Sequence, residues 1–392
     1  MNSSSKFDII VYGATGFTGR LVAEYLAEHY RGDKHLKWAM AGRCLDKLAK
    51  VRDAIGAPAD TRLITADSSD PASLQAMIAQ TTSVISTVGP YQLYGSNLVS
   101  ACAASGTDYL DLCGEPLWMR QMIDAHQATA RSFGARIIFS CGFDSLPFEL
   151  GVYFCQEKGR RAWGAAAPRV KGRVREMKGT FSGGTYASIK ATFAAAARDL
   201  SLVALLKDPF VLAPGLEGPK QPPGNKVAFD PDLNSWAAPF VMSSINTRSV
   251  HRSNMLMGFP YGKDFVYDEM VLTGAGEKGE ADAKRVMAAN NKMAASEGRK
   301  PGEGPSQEER ENGSYDLLFV AVQPDGRQVR VTVRGDRDPG YGSTSRMVAE
   351  CAICLLWEAP DVPAGIWTPG AAMRDRLIKR LVDNAGLTFE EA

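Results

Sequence analysis

Between residues 7 and 142 the chain switches six times between a short apolar run and a helical pattern. The runs FDIIVY (7–12), LKWAMAG (36–42), TRLITAD (61–67), SVISTVG (83–89), DYLDLCG (108–114) and ARIIFSCG (135–142) read as strands. Helices are expected between them. Residues 18–30 place Leu21, Val22, Tyr25 and Leu26 on one face, and residues 45–56 end at Gly56. A third helix opens near Pro71, a fourth closes at Gly106, and a fifth spans 117–134. Strands joined through helices by short connections form right-handed crossovers, so the strands lie parallel and helices cover both faces. The pattern predicts an α/β fold with a doubly wound parallel sheet, ending near residue 145.

The first turn of this unit, YGATGFTG (12–19), places glycines at 13, 16 and 19. Backbone that approaches a pyrophosphate has no room for a Cβ, and the following helix offers free N–H groups at its positive end. Gly13 turns the chain, Gly16 admits the phosphates, and Gly19 lets the helix pack on the sheet. Ala14, Thr15, Phe17 and Thr18 complete the loop, with both threonine hydroxyls available to phosphate. A Rossmann-type dinucleotide site follows. Its second strand ends at Arg43, where an acid would hold the ribose of NAD(H). Arg43, with Lys47, suits a 2′-phosphate, so the expected cofactor is NADP(H). Asp67, closing strand three, is placed for the adenine amino group or is a plain turn residue. Val88, Gly89 and Pro90 bend the chain after strand four, where the nicotinamide ribose would pass. Tyr91 and Tyr94 stack there, donate, or pack the loop.

Beyond residue 145 the pattern changes to α+β. A strand and a glycine-rich bend are expected over 173–185, a long helix over about 186–206, and loop over the proline- and glycine-rich 208–240. Residues 240–256 and 265–274 read as strand-rich or mixed. A polar helix over 279–297, a charged irregular loop over 298–313, a hairpin around Pro324-Asp325-Gly326 and helices at 343–358 and 373–385 complete the chain. The division is residues 1–145 for the cofactor and 146–392 for substrate and dimerisation, the last helices packing back on the first domain.

Seven scattered cysteines read as core thiols, including Cys351 and Cys354 in an apolar helix, and no metal site is read. A net charge of +1 gives no field for nucleic acid or an anionic membrane. No targeting core or spanning run is read, and the expected location is the cytoplasm. The strand-rich second domain is a candidate homodimer surface.

Three residues at the carboxyl edge of the sheet are candidates for proton donation and positioning: Asp144 and Glu115, which follow strands six and five, and Tyr91. Asp144 alternatively caps the helix opened by Pro147, and Glu115 alternatively holds a loop. Tyr186 and Lys190 form a Tyr-x-x-x-Lys dyad, but beyond strand six, away from its usual place. Hydride transfer needs no side-chain nucleophile, so the lack of a triad does not argue against an enzyme.

The motifs GATGFTG, GPY…YG, CGEP (113–116), GFDSLPFELG (142–151), GGT…S (183–188) and GIWTPGAAM (365–373) together resemble the saccharopine dehydrogenase-like oxidoreductases over nearly the whole chain. Within that group the similarity is to the vertebrate saccharopine dehydrogenase-like protein and the mycobacterial trans-acting enoyl reductases. The resemblance implies a Rossmann domain with an α+β domain, NADP(H), and a role in lipid metabolism: reduction of a hydrophobic enoyl or carbonyl substrate, small or carrier-bound. The chain departs from the family at NTRSVHRS (246–253), where Asn246 replaces an acid and His251 a basic residue. Two alternatives stand beside enoyl reduction. A saccharopine-type amino-acid reductase needs paired cations for carboxylates, with Arg248 and Arg252 as candidates. A non-catalytic, nucleotide-bound scaffold needs none.

Overall fold

A computed structural model describes residues 6–180, 187, 188, 190, 191, 201–295 and 302–392. The first six strands are β1 (Phe7–Tyr12), β2 (Trp38–Gly42), β3 (Arg62–Thr65), β4 (Thr81–Ser86), β5 (Asp108–Asp111) and β6 (Arg136–Ile138). A seventh, β13 (Gly365–Trp367), joins them from the far end of the chain. The sheet is wholly parallel in the order β13-β6-β5-β4-β1-β2-β3. β1 pairs with β2 on one side and β4 on the other. The strand order therefore reverses beside β1, and a crevice opens there at the carboxyl ends.

Side chains alternate across this sheet. Ile10, Tyr12, Ala39 and Ala41 face α3 (Pro71–Ile78), α5 (Ser96–Ser105) and α6 (Pro116–Phe133). Ile9, Val11 and Met40 face α1 (Phe17–His29), α2 (Leu45–Ala54) and α12 (Thr344–Ile353). The helix ends follow the glycine signals: Gly106 and Gly134 sit past α5 and α6 in the left-handed region.

The second sheet is mixed, in the order β14-β12-β11-β7-β10-β9-β8. It comprises β7 (Arg169–Lys178), β8 (Ala228–Asp230), β9 (Ser235–Pro239), β10 (Val266–Gly274), β11 (Ser314–Val322), β12 (Gln328–Gly335) and β14 (Leu387–Glu391). β7 and β10 run parallel, and the other pairs are antiparallel. The expected hairpin is β11–β12. The remaining helices are α4 (Tyr91–Tyr94), α7 (Leu146–Trp163), α8 (Ser201–Lys207), α9 (Ser243–Leu256), α10 (Gly276–Ala295), α11 (Gln307–Glu311) and α13 (Pro369–Asn384).

Several expectations are corrected. Residues 243–256 form a helix, not strand. Besides Ile245 and Val250 its buried residues are mostly polar, with Asn246, Ser249, Arg252 and Ser253 all bonded to other elements, so no continuous apolar stripe marks it. The charged loop holds the short helix α11, started by a Ser306–Glu309 capping box. The 208–240 loop contains β8 and β9, and strand five stops at Asp111. β13 and β14 carried no strand signal: β13 has three residues, and β14 is a polar edge. All seven cysteines are unpaired, and Cys351 and Cys354 are buried.

Candidate active site

The glycine turn begins where β1 ends. Gly13 and Ala14 donate to the Ala41 carbonyl at 3.0 and 3.2 Å, and Gly16 donates to the Gly13 carbonyl at 2.8 Å. Gly13 has φ +89°, and a Cβ there would lie 2.7 Å from Thr87 Oγ1. At Gly19 a Cβ would overlap the Gly13 carbonyl oxygen, so glycine alone lets α1 approach the strand this closely. At Gly16 an added Cβ meets only the Gly13 oxygen, at 3.2 Å, and Gly16 and Thr15 are exposed. Helix α1 starts at Phe17 with no side-chain cap and no acid in its first turn. Its leading N–H groups, from Phe17, Thr18 and Gly19, have no acceptor within the helix. This is an uncapped, positively polarised helix start, whose geometry suits an anion such as a pyrophosphate.

Arg43 and Lys47 are exposed beyond β2, at the same edge. Arg43 acts electrostatically on Tyr12 and on Asp67. Hydrogen bonds from the Ser69 backbone N–H and hydroxyl hold the Asp67 carboxyl below its ordinary range, with Arg43 adding to the effect. Asp67 therefore lies beside Arg43 as a turn-stabilising carboxylate.

The bend after β4 runs through Thr87, Val88, Gly89 and Pro90 into α4, with a cis Gly89–Pro90 peptide. Thr87 donates from N–H and hydroxyl to the Tyr12 carbonyl, at 3.0 and 3.1 Å, tying the bend to the glycine turn. The Glu115 carboxylate, buried after β5, accepts from the backbone N–H of Tyr91 and of Gln92, both at 2.9 Å, and from the Ser188 hydroxyl at 2.8 Å. The Tyr91 hydroxyl donates to the Ser86 carbonyl at 3.0 Å and accepts from Leu112 N–H at 3.2 Å. Burial, with Asp111 nearby, raises the Tyr91 hydroxyl well above its ordinary value. Both side chains are thus committed to holding the bend. Asp111, not singled out in the sequence, holds the rim beside them. It accepts from Cys113 and Ser140 N–H and from the Tyr109 hydroxyl, each at 3.0 Å. It sits inside an apolar strand, where the sequence carries no signal for it.

Asp144 stands on the segment from β6 to α7, with a cis peptide to Ser145. It caps nothing: Ser145 occupies the N-cap of α7, without a side-chain bond. Asp144 Oδ1 is buried with no hydrogen-bond partner, and burial pushes the carboxyl up to about 7. A cavity of about 840 Å³ joins Asp144 to the glycine turn at Gly16, Phe17 and Thr18 and to the bend at Gly89, Pro90 and Tyr91. Its other walls include Leu93, Leu112, Phe143, Met242, Ile245 and Tyr341. Behind Asp144 lies Glu269 on β10, unmarked in the sequence reading. Its buried carboxyl accepts from Asn246 Nδ2 at 2.9 Å and Tyr267 hydroxyl at 2.8 Å, and burial raises it well above its ordinary value. Asn246 thus serves Glu269 from the position where the family carries an acid.

Arg248 and Arg252 do not converge. Arg248 lines the cavity, whereas Arg252, 1% exposed, donates to the carbonyls of Leu212 at 2.6 Å and Ile366 at 2.7 Å. His251 packs edge-on against Phe210 and Phe265, and burial lowers it to about 3, so it stays neutral. Lys190 borders the cavity, while its dyad partner Tyr186 lies outside the described residues.

The profile of the saccharopine dehydrogenase NADP binding domain matches residues 9–138. A relative in Mycobacterium tuberculosis, from the trans-acting enoyl reductase group, is 39% identical over 405 residues, which cover 96% of this chain and 95% of that protein. The trans-acting enoyl reductase of Mycobacterium ulcerans is 34% identical over 408 residues, 97% of this chain and 96% of that one. The chain belongs to the saccharopine dehydrogenase-like family of the trans-acting enoyl reductases. Apo saccharopine dehydrogenase (L-Glu forming) from Saccharomyces cerevisiae superposes with a TM-score of 0.55 at 12% identity, covering 98% of this chain and 100% of that one, and shows the same fold.

As a member of this family the chain is an NADP(H)-dependent oxidoreductase. The uncapped glycine cradle and the exposed Arg43 fit that cofactor. Among the described residues no helix is long and apolar enough to cross a membrane.

Proposed function

We propose that this protein reduces the carbon–carbon double bond of a hydrophobic enoyl thioester, small or carried on a protein. One observation carries the reading: a single, largely apolar cavity runs from the glycine cradle to an unpartnered carboxyl whose pKa lies near 7. The cradle and bend (Gly13, Ala14, Thr15, Gly16, Phe17, Thr18, Gly19, Val88, Gly89, Pro90) would hold the dinucleotide, with Arg43 and Lys47 on the 2′-phosphate and Asp67 near the adenine. NADPH held there would supply a hydride to the β-carbon. The electron pair of the double bond then moves onto the carbonyl oxygen as an enolate. Asp144, protonated below about pH 7, gives its proton to the α-carbon and is reprotonated from solvent. Glu115 and Tyr91 are positioning residues that fix the bend. In this reading residues 1–145 hold the cofactor, and the rest closes the cavity and forms the surface for a homodimer. Seven free thiols suit a reducing compartment, which we take to be the cytoplasm.

A saccharopine-type amino-acid reductase is the second reading: among the described residues Arg252 is turned to backbone carbonyls and forms no arginine pair at the cavity, but Arg248 and Lys190 both border it. The test is NADPH consumption with long-chain enoyl thioesters, in wild type and Asp144→Asn. Turnover is expected in wild type and lost in the variant with NADPH binding intact. Turnover of α-keto acids with amino donors, and none of thioesters, would overturn the reading.

A further inference from the structure

Arg248 is 7% exposed and lies on the cavity wall. Two other buried arginines meet acids: Arg173 pairs with Asp230 and Asp268, and Arg380 with Glu350 and Glu358. Arg248 donates only to carbonyl oxygens, those of Ser244 and Leu206, which uses two of the five N–H groups of a guanidinium. Its Nε is buried and without a partner. Among the described residues no carboxylate stands within ion-pair distance. Asp208 acts on it from farther away, and that carboxylate accepts from Phe210 N–H at 2.8 Å. A buried cation without a counter-charge is costly, and proteins tolerate one where a ligand supplies the anion. Arg252 is bonded to carbonyls in the same way, but sits in the core away from the cavity, so it has no ligand to meet.

We propose that Arg248 is an anion subsite of the cavity, taking a carboxylate or phosphate oxygen of an acyl ligand whose chain lies along the apolar wall. The two carbonyl bonds fix the guanidinium plane, and the one to Leu206 anchors α9 to α8. The remaining donors and the uncompensated charge are left for the ligand. Ile245 and Met242, one turn away on α9 or just before it, line the same cavity and present apolar surface to the chain. The preferred substrate is therefore an amphiphile with an anionic group at a fixed distance from its reducible bond, rather than a plain neutral acyl chain. This inference deepens the enoyl-substrate reading and rests on it for the acyl character of the occupant.

The test is calorimetric titration of the full chain with decanoate, decyl phosphate and decanamide. At least one anion is expected to bind about tenfold more tightly than the amide. Preference for decanoate assigns a carboxylate, and preference for decyl phosphate a phosphate. Arg248→Gln should erase the preference, and Arg248→Lys, which keeps the charge, should retain most of it. Thermal melting and NADPH titration report that each variant is folded. Equal binding of anions and amide by wild type overturns the proposal, as does a preference that survives in folded Arg248→Gln. Enoyl thioester turnover is read separately. Anion preference without turnover counts against the reduction reading and leaves the subsite standing, and turnover without anion preference does the reverse.

Discussion

Arg43 and Asp144 carry the two residue-level claims, and each has its own readout. Arg43 is exposed at the end of β2 and makes no bond within the chain that removal would leave unsatisfied. Arg43→Ala should therefore weaken NADPH binding by about 1.5–3 kcal/mol, the usual worth of a hydrogen bond to a charged group, and leave NADH binding nearly unchanged. Fluorescence titration with both nucleotides measures this. Equal losses for the two would remove the arginine from the 2′-phosphate. Asp144→Asn should lower kcat roughly a hundred- to ten-thousand-fold with little change in NADPH affinity. The pH dependence has a definite sign. The folded carboxyl is raised from its ordinary 3.8 to about 7, so the acid form needed for proton donation is lost as pH rises through about 7. The same shift acts on stability. The contribution of the protonated side chain is fully present below about pH 4 and is lost as pH rises towards 7. Asparagine does not titrate, so Asp144→Asn should melt progressively higher relative to wild type between about pH 4 and 7, with the difference levelling off above that. A melting difference that is flat with pH would place Asp144 in a solvated site.

At the scale of elements, the first sheet was legible because its code is local. Six apolar runs, each followed by a helical pattern, specify parallel strands without knowledge of any long-range contact. The glycine turn was legible for the same reason: its demands on Cβ are met within one turn and its neighbouring bend. Gly19→Ala tests that demand, since the new methyl would overlap the Gly13 carbonyl. It should cost about 1–3 kcal/mol in urea unfolding and weaken NADPH binding together with stability. A fully stable variant would show that α1 can move away from β1. Helix α9 was misread because most of its buried side chains are polar and their partners are remote: Glu269 for Asn246, Ser145 for Ser249, and Glu149 for Ser253. Hydrophobic periodicity cannot mark a helix whose burial is satisfied by hydrogen bonds. β13 was invisible for a related reason. Three residues gain strand geometry only by pairing with β6, more than two hundred positions earlier. In the site, the sequence pointed to Asp144, Glu115 and Tyr91, but only the fold shows that two of these carry structural hydrogen bonds while the third has none.

The whole molecule is tied together by a buried polar cluster between α1 and the C-terminal helices. The Glu350 carboxylate, fully buried on α12, accepts from the Tyr25 hydroxyl at 2.6 Å, the Tyr30 hydroxyl at 2.7 Å and Arg380 Nε at 2.5 Å. The C-terminal segment thereby locks onto the first helix of the cofactor cradle. Glu350→Gln leaves Arg380 without its buried partner and should destabilise the protein by about 3 kcal/mol in chemical unfolding. An unchanged midpoint would show that the cluster closes without the charge. One cavity meets the glycine turn, Asp144 and the α9 residues Ser244, Ile245 and Arg248. Reduction of an enoyl bond is the central claim, and following the hydride itself tests it most directly. The protein is incubated with a long-chain enoyl thioester and NADPH carrying deuterium at the nicotinamide C4, each face labelled in turn. Mass spectrometry of the product should show a single deuterium, on the β-carbon, from one face only. A saturated product without label from either face, or no saturated product at all, would contradict the account.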